Sequence, residues 1–310
     1  MLVIRNVYLG FMTIMMTACS GLSWGNIKTD KITLNMISEQ FFYVNNSRDN
    51  YNDSKDFSSE KSAPLLSGPD SPKQLAEKYR LKALEAFAQA NFHQSLDDLN
   101  KAIAIDKNNA LLYETRASVY EYLGENERAM ADIHLALTLD PADFHPYMTR
   151  ANIYYYQGEY KKALQDYETF LTVYTDNLYR MLWYYQAAVF LKHERVDNNA
   201  GNRADEKLKR YITDADISIW PGPIAQLYLK QVTPESLLAL LADSNVTEPG
   251  VLCEAYFYLG QYYLMNNKHD AAANYFRQAR KTHAQAYIEY LYAGKELLRL
   301  KNKASKAADR

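Results

Sequence analysis

One stretch, residues 110–143, is repeated along this chain, and that periodicity limits the fold more than composition does. Its first half places Tyr113, Ala117 and Tyr120 at the three-and-four spacing of one helix face. Gly124 then permits a tight turn, and Ala129, Ile133 and Ala136 restate the spacing. Pro141 stops the second helix because it has no amide hydrogen to donate. Small side chains at Ala117, Ala129 and Ala136 let two helix backbones approach closely. Such a helix–turn–helix unit cannot bury its own apolar face, so it requires neighbours.

Those neighbours lie one period of 34 residues away. Downstream, the same slots hold Tyr147, Ala151, Tyr154, Gly158, Ala163 and Tyr167; upstream they hold Tyr79, Ala83, Ala86, Ala90, Ser95, Leu99 and Ala102. A further copy carries Cys253, Tyr256, Leu259, Gly260, Tyr263, Ala272, Phe276 and Ala279. The pattern resembles the tetratricopeptide repeat, which implies an all-α superhelix, a helix-turn-helix solenoid whose inner face binds proteins. Repeats are expected at about 76–109, 110–143, 144–177 and 253–286, with a degenerate middle at 178–250 and a capping helix at 286–300. Together they make a repeat domain over 71–302, followed by a basic tail at 303–310.

Upstream of the repeats, residues 1–18 combine Arg5, an apolar run over 7–16 and small residues Thr17 and Ala18, the layout of a secretory signal. The apolar run is too short to span a bilayer. Met16-Thr17-Ala18-Cys19 resembles a bacterial lipobox, with Met16 in place of the usual leucine. That resemblance implies that Cys19 is the lipid-modified first residue of the mature chain, and Ser20 after it implies outer-membrane delivery; a periplasm-facing orientation is expected beside a surface-facing one. A multiply acylated cysteine anchors stably, each buried methylene contributing about 0.8 kcal/mol. The competing reading is an ordinary signal peptide with an incidental cysteine. Residues 19–70 are rich in Asn, Ser, Asp and Lys without sustained period and read as a mostly disordered tether. About 50 flexible residues span roughly 40 Å root-mean-square.

Ser71-Pro72-Lys73-Gln74 is a helix start: Ser71 caps, Pro72 is pre-set for the first helical position, and Gln74 bonds back. The fourth unit, a helix over 178–192, loses the pattern, since Trp183, Tyr184 and Tyr185 crowd slots where small residues are expected. The polar run 195–203 reads as a loop before a helix at 204–213. Trp220-Pro221-Gly222-Pro223 breaks any helix, and Thr233-Pro234 opens another. The closing helix is expected to face Tyr287, Leu291 and Leu298 inward.

A formal net charge of −2 gives no electrostatic case for nucleic acid. The six histidines have no partner at metal-ligand spacing, no glycine-rich phosphate loop is present, and Gly21-Leu22-Ser23-Trp24-Gly25 matches a nucleophile elbow only by letter, within the tether. Cys253 opens a repeat helix beside Glu254, a poor setting for a reactive thiol. No catalytic residue, metal or cofactor is expected, and the chain is not expected to be an enzyme.

The wider layout resembles the NlpI-type outer-membrane lipoproteins. The residues that carry the likeness are Leu182-Trp183-Tyr184, Trp220, Tyr228-Leu229 and Thr233, then the run 257–264 and Asp270-Ala271-Ala272. The tether is longer than that family's. The resemblance implies a non-enzymatic scaffold that docks envelope cell-wall hydrolases and a periplasmic processing protease, commonly as a homodimer. A second expectation, from another class, is a structural subunit of an envelope machine for pilus-secretin or outer-membrane protein assembly.

Slot counting in the tetratricopeptide frame gives the inner face: Arg80, Leu84 and Phe87; Glu114, Ser118, Glu121 and Tyr122; His145, Met148, Asn152, Tyr155 and Tyr156. The resulting partner-binding groove is acidic and aromatic and suits an extended or helical segment with basic and apolar side chains. The alternative is that Tyr155 and Tyr156 pack between repeats or against Phe41-Phe42-Tyr43 of the tether.

Overall fold

A computed structural model describes residues 70–308 apart from 176, 214–216 and 245. The residues expected to form a signal segment and a tether, Cys19 among them, lie outside the described residues.

Thirteen helices and no strand are present among the described residues. Three antiparallel pairs come first: α1 (Pro72–Ala88) with α2 (Phe92–Ile105), α3 (Ala110–Leu123) with α4 (Asn126–Leu139), and α5 (His145–Gln157) with α6 (Tyr160–Leu171). The irregular middle holds α7 (Leu178–His193), α8 (Ala200–Thr213), the short α9 (Gly222–Tyr228) and α10 (Pro234–Asp243). A last pair, α11 (Pro249–Met265) with α12 (His269–Lys281), is followed by the long α13 (Ile288–Ala308). The fold is the all-α repeat solenoid that the 34-residue period requires.

Local chemistry sets the ends of these helices. Ser71 and Gln74 form a reciprocal capping box around Pro72. Thr233 accepts the Ser236 amide at the start of α10. The turns inside the second and third pairs place Gly124 and Gly158 at φ 76° and 80°, in the left-handed region that costs glycine little. Equivalent turns hold Ala90 and Asn267 at φ 59° and 58°. Within each pair the small residues do the predicted work: Ala117, Ala129, Ala136, Ala151 and Ala163 are essentially sealed from solvent.

Gly260 serves the same close approach in the last repeat. A Cβ there would lie 2.5 Å from the Phe276 ring. Gly260→Ala should therefore push α11 from α12 and cost about 1–3 kcal/mol, read as a lower urea midpoint; an unchanged midpoint would show that the pair absorbs the methyl.

Three local expectations need correction. The stretch 195–203 is not all loop: α8 starts at Ala200, because Ala200 and Gly201 are small enough to bury against α7. The last helix does not stop at residue 300 but runs to Ala308. Its buried face is Glu289, Tyr292, Ala293 and Glu296; of the expected residues, Leu291 packs partly buried against the core and Tyr287 against Gly250, whereas Leu298 is largely exposed. Two buried glutamates disguise that stripe from a hydrophobic reading.

Candidate functional site

The solenoid curls until its last helix lies in its own concave face. Tyr292 of α13 donates a short hydrogen bond to the Glu121 carboxylate of α3, and its ring stacks on Tyr156 of α5 with centroids 4.0 Å apart. Arg299 donates to the Tyr160 hydroxyl at 2.8 Å, and the Tyr122 hydroxyl donates to the carbonyl of Ala286 at 3.0 Å. The Lys295 ammonium sits over the rings of Tyr156 and Tyr292, 5.3 and 4.8 Å from their centroids.

Trp183 is the hub behind this contact. Its ring meets Tyr155 and Phe257 at 5.5 Å and Tyr292 at 5.3 Å, so one side chain on α7 joins α5, α11 and α13. Of the bulky residues that spoil the repeat pattern, Trp183 fills the space behind the closure, whereas Tyr184 and Tyr185 bond outward to Glu168 and Asp205. Polar groups are threaded through the same core. Gln261 donates to Glu296 at 3.2 Å, Tyr258 to Glu289 at 3.3 Å, and Glu254 accepts from Trp220 and Tyr179 at 2.7 and 2.9 Å.

The slot residues all fall on the inward side, but they do not line an open groove. Met148 and Tyr155 have no exposure, and Arg80, Glu114, Glu121, His145 and Asn152 are buried. Tyr155 donates weakly to Gln186 and Gln261, at 3.5 and 3.4 Å, while Asn152 accepts from Tyr167 at 2.8 Å. His145 is held by Asp143 at 2.8 Å and Tyr174 at 3.0 Å, and Arg80 forks onto Glu77. Ser118 contacts Thr149 Oγ1 at 3.4 Å, and Phe87 packs edge-on to Tyr122 at 4.6 Å. The partner groove drawn from Arg80 to Tyr156 is buried rather than open at most of these positions, and α13 covers it at Glu121 and Tyr156. There α13 presents the Tyr292 hydroxyl to Glu121 and the Lys295 ammonium to the Tyr156 ring.

Burial dominates the electrostatics. It raises Glu114 to about 8 against the favourable fields of His145 and Arg80, with Asp143 adding to the rise. It raises Glu121 to about 7 against Lys295 and the hydrogen bond from Tyr292. Glu254 is pushed well above the carboxylate range by burial and by neighbouring Glu289. Burial also lifts the Cys253 thiol far from its reactive range.

Two structural pairs escaped notice in the sequence. Arg116 grips Asp132 with two bonds of 2.7 and 2.8 Å, and Arg150 grips Asp166 with the same two distances. These bidentate pairs tie the first helix of a repeat to its second. The same offset of 34 that identified the alanines would have found them, because Arg116 and Asp132 recur as Arg150 and Asp166.

The chain matches the tetratricopeptide-repeat family at residues 110–143 and 144–177. Among solved structures it is similar to PilW, described as a widely conserved type IV pilus biogenesis factor, with 15% identity over 67% of this chain and 93% of that one, TM-score 0.46. It is similar to a tetratricopeptide repeat protein from Parabacteroides merdae, with 21% identity over 73% of this chain and 83% of that one, TM-score 0.45. It is also similar to PilF of Pseudomonas aeruginosa, with 17% identity over 76% of this chain and 100% of that one, TM-score 0.43. The chain is thus an all-α repeat solenoid that carries tetratricopeptide repeats, a fold that presents surfaces to protein partners.

Proposed function

We propose that this chain is a non-enzymatic, lipid-anchored adaptor of a bacterial outer membrane, periplasm-facing, that holds envelope proteins near the membrane. The observation that carries the reading is the repeat solenoid itself, with its concave face filled by α13. A solenoid closed in this way offers partners its outer surface, while α13 occupies the inner one at Glu121 and Tyr156. Cys19 supplies the anchor and residues 19–70 the reach, roughly 40 Å by the scaling of flexible chains. The partners favoured by the resemblance to NlpI-type lipoproteins are cell-wall hydrolases and a processing protease.

Replacing Cys19 with Ser is expected to move the protein from the membrane pellet to the soluble periplasmic fraction; membrane retention would sink the anchoring claim. Affinity capture from detergent-solubilised envelopes is expected to enrich a hydrolase or protease over a mock control. A stable complex with a secretin or barrel would instead indicate an assembly-machine subunit.

A further inference from the structure

The irregular middle of the chain builds a feature that the repeats do not. Where α7, α8, α9 and α11 meet, a cleft of about 300 Å³ opens to the surface. That volume lies at the small end of ligand sites and suits one large side chain rather than a whole small molecule. Its apolar wall comes from Val189, Tyr262 and Met265, with the Tyr228 ring behind.

The rim is cationic. Lys192 and His193 end α7, Lys209 stands on α8, and Lys230 follows α9. One carboxylate, Asp205, shares the lining, and it is already engaged by the Tyr185 hydroxyl at 2.7 Å. Lys209 has the exposed Glu206 3.2 Å away. Lys192 and Lys230 have no ion-pair partner among the described residues. The stem of Lys192 lies against Gly201, where a Cβ would come within 3.1 Å of it. His193 responds to the same field: burial, Lys192 and Lys303 of α13 all disfavour its charged form.

A slot with an apolar wall, flanked by the unpaired ammonium groups of Lys192 and Lys230, is complementary to a partner of opposite charge that carries an apolar side chain. Lys192 ends α7 and Lys230 follows α9, so the two match spaced carboxylates better than one terminal carboxylate. We propose that this cleft docks an acidic segment of a partner protein, which inserts one aromatic or large apolar side chain between Val189, Tyr262 and Met265 while its flanking carboxylates meet Lys192 and Lys230. This rests on the adaptor reading and gives that adaptor a second, preformed surface away from the self-filled concave face.

The test uses the purified full chain in detergent and three fluorescein-labelled, end-blocked peptides: Glu-Asp-Glu-Phe-Glu-Asp, its Phe→Ser analogue, and Gln-Asn-Gln-Phe-Gln-Asn. Polarisation at low salt should register the first alone. The double variant K192E/K230E, whose substitutions are exposed, should weaken it by about tenfold or more with helical circular dichroism unchanged. Raised salt should weaken the wild-type complex as the screening length shrinks. Equal binding of the serine peptide would reduce the cleft to surface charge and overturn the proposal. Unchanged affinity in K192E/K230E, or no binding at all, would also overturn it. The adaptor reading is judged separately, by whether envelope capture with the wild-type chain enriches any partner; capture that persists with K192E/K230E keeps the adaptor and discards the cleft.

Discussion

Replacing Trp183 with alanine will cost about 3–5 kcal/mol of folding stability, the largest single loss expected anywhere in this chain. The side chain is 1% exposed and touches Tyr155, Phe257 and Tyr292 on three different helices. Its removal opens a cavity that no one neighbour can close without breaking another contact, since each is fixed by stacking or hydrogen bonding elsewhere. Tyr155 reaches toward Gln186 and Gln261, and Tyr292 is tied to Glu121. A domain of this kind is stable by roughly 5–15 kcal/mol, so the loss takes a large fraction of the whole. Urea unfolding followed by circular dichroism reads it directly. A loss below about 1 kcal/mol would mean that α13 does not depend on the hub. Trp183→Phe, which keeps an aromatic plane, should recover much of the difference.

The second large effect is on pH. Burial raises Glu121 from 4.5 to about 7 and Glu114 from 4.5 to about 8. Over that interval the folded chain keeps protons that the unfolded chain has released. Each pH unit therefore removes about 1.4 kcal/mol per group. The stability is fully present below about pH 4.5 and is lost as pH rises through 7 and 8, on the order of 3 kcal/mol from Glu121 alone. Glu254 and Glu296, raised chiefly by burial, act with the same sign. His145 does too: burial pulls its imidazole down, but the bond to Asp143 and the field of Glu114 outweigh it, and that contribution also fades as pH rises. Lys295, Asn152 and Arg180 oppose the rise at Glu121. Urea midpoints should therefore fall between pH 5.5 and 8.5, and Glu121→Gln should flatten part of the slope while its amide oxygen still accepts from Tyr292. A midpoint independent of pH in the wild type would reject the account.

Much of the fold could be read from spacing alone. The capping box at Ser71, the turns at Gly124 and Gly158 and the alanine seams are local events, each decided within one or two turns of chain. The inward direction of Glu114, Glu121, Asn152 and Tyr155 was legible for the same reason. Their openness was not. Slot counting assigns a face, and it carries no information about what covers that face. The stripe of α13 that does so contains Glu289 and Glu296, which read as solvent residues until Tyr258 and Gln261 are seen beside them. The start of α8 at Ala200 was hidden in the same way, by polar neighbours that do not reveal burial against α7.

The sequence by itself determined the unit: a helix pair of 34 residues, its close-packed seam, and the places where the pattern fails. Only the tertiary structure decided that Trp183, one of the failing residues, makes the hub on which the solenoid closes, and that the cleft between α7 and α11 gathers Lys192, Lys209 and Lys230. The physical reason is range. Helix periodicity and turn geometry are set by residues a few positions apart. Closure depends on small rotations summed over every repeat and on pairs such as Glu121 with Tyr292, 171 residues distant, whose polar chemistry has meaning only once burial removes the water around it.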